Sequence, residues 1–334
     1  MNRHRPRLKR PLALLAVLPL AFAAGCGSSS AGTDLPSTAT AAQLKGGSLA
    51  KEVDLKGASL TVGSKEFTEQ LVLGQILIYA LEATGAKAKD QTGLMGTTIV
   101  RKSLLSGDVD VYWDYAGTGW TEFLQKDSVL PDAKKQFTET ARLDHKQNKV
   151  TWFGPAKFGD QYAIARAKDA KGPAGKVNKM SDWRKLAKEH PDELTLCGAS
   201  EFLDRELENM SDTYDVRFPP SQVTQNAFAL NFVNVAKQSP CNFAEVFTTD
   251  ARIKSMDLKV LEDDRGHIIT QLLGMTVKDE TAKKYPQLEK LAKLIGDRLT
   301  QEKIIELNGM IDIDGATPQQ AALKFLRDEG LIGK

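Results

Sequence analysis

From position 59 onward, apolar and polar residues follow two rhythms in turn. A β-branched run at 59–63 (SLTVG), closed by Gly63, predicts an opening strand. The longer apolar run at 70–83, with Leu71, Leu73, Ile76, Leu77, Tyr79 and Leu81, predicts a helix ended by Gly85. Thr68 is placed to cap it, with Glu69 in its first turn. A second strand is expected at 86–91, a glycine-bearing turn at 93–98, a short helix at 99–105 and a third strand at 109–115. Strand and helix alternating in this way predict a parallel sheet of the α/β class. The third strand, VDVYWDY, breaks at Ala116-Gly117-Thr118-Gly119. It brings Tyr112, Trp113, Tyr115 and Thr118 to its carboxyl end, where open α/β sheets hold their ligands. Burial for packing is the competing role for those rings. The glycine spacing matches neither GxGxxG nor a P-loop.

Further along, 122–148 is polar and helical with Pro131 interrupting it. Strands are expected at 150–153 and 162–165, a helix at 180–189, and a strand at 194–197 closed by Gly198. The stretch 223–237 has helical spacing, 246–249 and 258–261 read as strands, and 268–277 as extended chain. Helices at 280–299, 300–307 and 317–329 complete the pattern.

Length changes the picture first: 334 residues suggest two domains. Charge is near balance, 45 Lys+Arg against 43 Asp+Glu, and five of the basic residues fall within the first ten positions. No field remains that would argue for nucleic acid. Those five residues and the apolar run 12–24 form the n- and h-regions of an export signal. The run is shorter than the roughly 20 residues a membrane-spanning helix needs. It ends in Ala23-Ala24-Gly25-Cys26, which resembles the lipobox of bacterial lipoproteins with Ala23 where leucine is usual. That resemblance implies a lipidated Cys26 after cleavage and anchoring at the outer face of the cytoplasmic membrane; ordinary secretory cleavage near Ala24 is the alternative. The stretch 27–58, rich in small polar residues, reads as a flexible tether. Outside the cytoplasm the remaining pair, Cys197 and Cys241, is expected to be bridged, with two unpaired buried thiols as the alternative. The four histidines are scattered without ligand spacing, so neither a metal nor a cofactor is expected.

Five ordered segments carry a more specific signal: SKEFTEQLVLGQ, VYWDYAGTG, FLDRE, FTTDARI and LKVLEDD. Together they resemble the substrate-binding proteins of ABC importers for quaternary ammonium osmoprotectants, over about residues 60–331. The resemblance implies a two-lobed type II periplasmic-binding fold with two crossing strands and hinge closure on the ligand. The crossings are expected near 153–158 and 264–268, which puts 59–155 and 267–334 in lobe one and 156–266 in lobe two. It implies a monomeric receptor without enzymatic activity that hands its ligand to an ABC permease.

A trimethylammonium group donates no hydrogen bonds and is best held by aromatic faces; a carboxylate at the other end needs cationic and hydroxyl donors. By the resemblance, Tyr115, Tyr162 and Phe247 take cage positions, Phe247 in place of a tyrosine. Lys65, Thr118 and Arg205 match positions that hold a ligand carboxylate, and Asp160 matches an acidic residue near the cage. Where the family often has a final cage tyrosine, this chain has Gln271. Trp113, Trp120 or Tyr214 then compensates, or the cage is open on one side and the ligand is a different cationic or amino-acid-like solute. An exported hydrolase is the rival from another class, but the chain has no GxSxG and no suitably placed histidine; a non-transport sensor on the same lobes is a third alternative.

Overall fold

The computed structural model describes residues 35–126, 130, 132–269 and 271–334. The export signal, Cys26 and the first part of the expected tether lie outside the described residues.

Four strands are laid down first: β1 (Ser59–Lys65), β2 (Lys87–Leu94), β3 (Val111–Tyr115) and β4 (Val150–Phe153). The chain then crosses to a second lobe, which holds β5 (Tyr162–Ala167), β6 (Leu196–Gly198), β7 (Val223–Gln225), β8 (Phe243–Phe247) and β9 (Leu258–Val260). It returns as β10 (Leu273–Lys278). The two sheets run β2-β1-β3-β10-β4 and β7-β6-β8-β5-β9. In each, the strand arriving from a crossing enters antiparallel between two strands of its new lobe: β10 between β3 and β4, β5 between β8 and β9. One topology is therefore built twice.

The helix Thr68–Ala83 is apolar on nearly all sides because nearly all of it is covered, by the first sheet and by the C-terminal helix Pro318–Asp328. Phe67, not Thr68, is its cap residue; the Thr68 hydroxyl instead donates to Asp312 at 2.7 Å. The helical spacing expected throughout 223–237 begins only at Phe228, since β7 occupies Val223–Gln225. Three residues are too few for an alternation to register against the helix that follows.

Two boundaries differ from the sequence expectation. The crossing segments touch where Ala156 N donates to Leu273 O (2.9 Å) and Leu273 N to Phe158 O (3.3 Å). A Cβ at Gly159 would lie 2.5 Å from Gln271 O, so only glycine permits this approach. The second crossing is thus at about 271–273 and not at 264–268. The earlier stretch stays with lobe two, where Asp263 accepts the backbone N–H groups of His267 and Ile268 and Asp264 accepts the Ser181 hydroxyl.

The expected tether is also folded in its second half. Short helices form at Ala41–Lys45 and Ser48–Glu52; the second buries Leu49, and Val53 and Leu55 just after it are buried too. Ser48 N and Leu49 N donate to Gly330 O and Leu331 O at 3.0 and 3.1 Å. A Cβ at Gly47 would fall 2.2 Å from Leu331 O. Five-residue helices carry too little periodicity to stand out from a composition of small residues. In lobe two a disulfide joins Cys197 on β6 to Cys241 just before β8, with Cα atoms 5.7 Å apart.

Candidate functional site

The carboxyl ends of β1 and β3 face lobe two across a cleft of about 880 Å³. Lys65, Tyr115, Thr118, Asp160, Tyr162, Arg205, Phe247 and Gln271 all line it. Eight residues spread over two hundred positions are brought together by the repeated topology.

Lobe one supplies a polar floor most of whose members bond to one another, with Asn308 Oδ1 buried without a partner among the described residues. Lys65 Nζ lies 3.1 Å from Asp114 Oδ1, with both side chains almost fully buried. Asp114 also accepts the Tyr112 hydroxyl (2.6 Å) and Tyr115 N (2.9 Å), which spends Tyr112 on the sheet. The Tyr115 hydroxyl donates to Glu69 Oε1 at 2.5 Å, and Asn308 Nδ2 donates to Glu69 Oε2 at 3.2 Å. Behind them Asp160 accepts Thr249 N at 3.3 Å. Burial raises the Asp160 carboxyl well above the usual range, and the nearby Glu69 adds to this; burial raises Glu69 in the same direction. Gln271 Oε1 accepts the backbone N–H of Thr118 at 3.0 Å and so pins the β3 turn to the hinge.

Lobe two supplies rings. Tyr162 and Phe247 are cross-strand partners on β5 and β8, and their rings stack at 5.2 Å and 25°. Phe202 meets Tyr162 edge-on at 5.2 Å. Phe67 from lobe one and Phe228 from lobe two close on Phe247 at 5.1 and 4.6 Å. Phe67 and Phe228 line the cleft but were not among the sequence candidates. Each directly precedes or opens a helix whose apolar run masks a single ring.

Arg205 reaches across the cleft. Its Nε lies 2.9 Å from Glu122 Oε1 of lobe one, its NH1 3.0 Å from Glu201 Oε1, and its guanidinium 6.0 Å from the Tyr162 ring centre. Asn308 Nδ2 to Thr249 O (3.2 Å) and Arg252 to Asp312 (3.3 Å) are further contacts between the lobes.

The three rings offered as replacements for a cage wall do not line the cleft. Trp113 shares the Tyr115 face of β3 but lies one pleat deeper, so it is 2% exposed within the core of lobe one. Tyr214 is fully buried, edge-on to Trp183 at 5.9 Å with its hydroxyl on Asp263. Trp120 packs with Leu124 and Ile269.

The family described as the substrate binding domain of the ABC-type glycine betaine transport system matches residues 58–328. The chain belongs to this family. A glycine-betaine-binding protein of Pseudomonas aeruginosa is 30% identical over 281 residues, 82% of this chain and 89% of that one. An ergothioneine transport permease/ergothioneine binding protein of Helicobacter pylori is 30% identical over 81% of this chain but 48% of its own length, so the chain spans about half of that relative. A solved structure described as a glycine betaine/carnitine/choline ABC transporter superposes with a TM-score of 0.64 at 23% identity, covering 81% of this chain and 97% of that one. The family is one of extracytoplasmic binding proteins for transport, and its two-lobed fold is the one found here.

Proposed function

We propose that this chain is a lipid-anchored, monomeric, extracytoplasmic receptor that captures a small quaternary ammonium compound and delivers it to an ABC permease, without chemical turnover. The observation that carries the proposal is the ring group Tyr162, Phe247, Phe67 and Phe228, drawn from both lobes onto one cleft. Aromatic faces attract a cation that cannot donate hydrogen bonds, each contact contributing roughly 0.5–2 kcal/mol. Lys65, Tyr115, Thr118, Asp160 and Arg205 are proposed to frame that site, with the Arg205–Glu122 ion pair across the cleft contributing to closure. The ligand would be held between lobes that move about the crossings near 154–160 and 271–273.

A second possibility, a cationic solute other than glycine betaine, is favoured by Gln271, which brings no ring to the cleft. Calorimetric titration with glycine betaine, choline, carnitine and proline betaine tests the proposal. Binding of at least one is expected; no binding to any of the four by folded protein refutes it.

A further inference from the structure

Glu245 lies on β8 two residues before Phe247, so both side chains leave the strand on the same face. Both line the cleft. Glu245 is only 2% exposed, and its two side-chain hydrogen bonds go to one oxygen: Ala199 N at 2.6 Å and Asn231 Nδ2 at 3.2 Å, both on Oε2. Oε1 has no hydrogen-bond partner among the described residues. Among the described residues no basic side chain is paired with this carboxylate. Arg205 is held by Glu122 and Glu201, Lys65 by Asp114, and Arg252 by Asp250 and Asp312.

The titratable groups that act on Glu245 include Glu201 and Glu206 from the helices that follow β6 and the Tyr162 hydroxyl from β5; the Arg205 guanidinium lies beside all three, paired with Glu201. Burial pushes the Glu245 carboxyl up to about 8 from its ordinary 4.5, and the charges of Glu201 and Glu206 add to the rise. At neutral pH it is therefore mainly the neutral acid. With Oε2 accepting two N–H donors, the proton belongs on Oε1.

We propose that Glu245 is a specificity-determining residue that supplies the counter-charge for the ligand's cationic group and so favours net cations over zwitterions. This rests on the receptor function proposed above. When a quaternary ammonium ion enters beside the rings, the O–H bond of Glu245 breaks, the proton leaves to solvent, and the carboxylate faces the cation; no other bond changes. A zwitterion brings its own carboxylate, which leaves Glu245 protonated and finds Lys65 and Arg205 already engaged. Cation affinity consequently weakens as pH falls through about 8, by up to roughly tenfold per pH unit, until the lower value in the complex is reached.

The test is calorimetric titration of the intact chain at pH 7 with choline and with glycine betaine, each in two buffers of different ionisation enthalpy, for wild type and Glu245→Gln. The expected result is tighter binding of choline, with release of close to one proton, and little or no release with glycine betaine. Glu245→Gln should weaken choline at least about tenfold and abolish the proton release, while changing glycine betaine less than about threefold. Choline binding to wild type without proton release overturns the proposal, and this readout does not depend on the variant folding. So does an equal loss for both ligands, or tighter binding of glycine betaine. If neither of these ligands, nor carnitine or proline betaine, binds wild type, the receptor function fails and the role of Glu245 fails with it.

Discussion

The two lobes share one strand order and differ in what they present to the cleft. Lobe one has strands of four to eight residues, and the central polar groups of its cleft floor are bonded within the floor. Lys65 is held by Asp114, and Tyr115 by Glu69 with Asn308 behind it. Lobe two has three strands of only three residues, a disulfide, a ring stack and a carboxyl group with one oxygen unbonded among the described residues. The difference separates stability from recognition. A buried polar group that already has its partners fixes geometry and offers little to a newcomer; rings and a half-satisfied acid still have something to gain. On the proposed function, lobe one is mainly the frame, adding Phe67 to the ring group, and lobe two supplies most of the groups that would read the ligand.

The largest effect expected from this contrast is on stability in lobe one. Lys65→Met leaves the Asp114 carboxylate buried without its cation and should cost about 3–5 kcal/mol in urea unfolding, more than it costs in ligand affinity in protein that remains folded. Cys197→Ser with Cys241→Ser removes the link across the short strands of lobe two. By loop entropy that costs about 4 kcal/mol, and amide exchange should show lobe two opening first. Tyr162→Ala with Phe247→Ala should do the reverse of Lys65→Met, costing roughly 1–4 kcal/mol in affinity for a quaternary ammonium ligand. If the Lys65 and ring variants have the same profile, the division between frame and reader is wrong.

The smallest effect is on pH dependence. Glu245 has a folded value raised to about 8 from 4.5. Its contribution to stability is therefore fully present below about 4.5 and is lost as pH rises through about 8. Burial gives Asp160 and Glu69 the same sign. The melting temperature of the ligand-free protein should fall between pH 5 and pH 8, and Glu245→Gln should flatten part of that slope.

Much of this cleft is legible in the chain because ordered motifs mark the carboxyl ends of strands. SKEFTE and VYWDYAGTG place Lys65, Tyr115 and Thr118 on one floor, and FTTDARI places Phe247 opposite. The unread parts depend on relations that no local pattern carries. Trp113 and Tyr115 share a strand face, and only depth within the sheet separates a core ring from a cleft ring. Phe67 and Phe228 become neighbours of Phe247 only through pairing across the lobes and along the helix after β7. Glu245 falls just outside the strand expected at 246–249; only β8 as it is, Phe243–Phe247, and the burial of this side chain bring it to notice. The docked helices at Ala41–Lys45 and Ser48–Glu52 owe their order to the chain's far end, at Gly330 and Leu331.

The central claim, that the rings of this cleft hold a quaternary ammonium cation, is tested most directly by changing charge at constant shape. Choline and 3,3-dimethyl-1-butanol differ in little but the replacement of the ammonium nitrogen by carbon. Titrated into the same preparation at pH 8, choline should bind at least about tenfold more tightly, the equivalent of one or two cation–π contacts. Equal affinity for the two would show an apolar pocket indifferent to charge and would contradict the account.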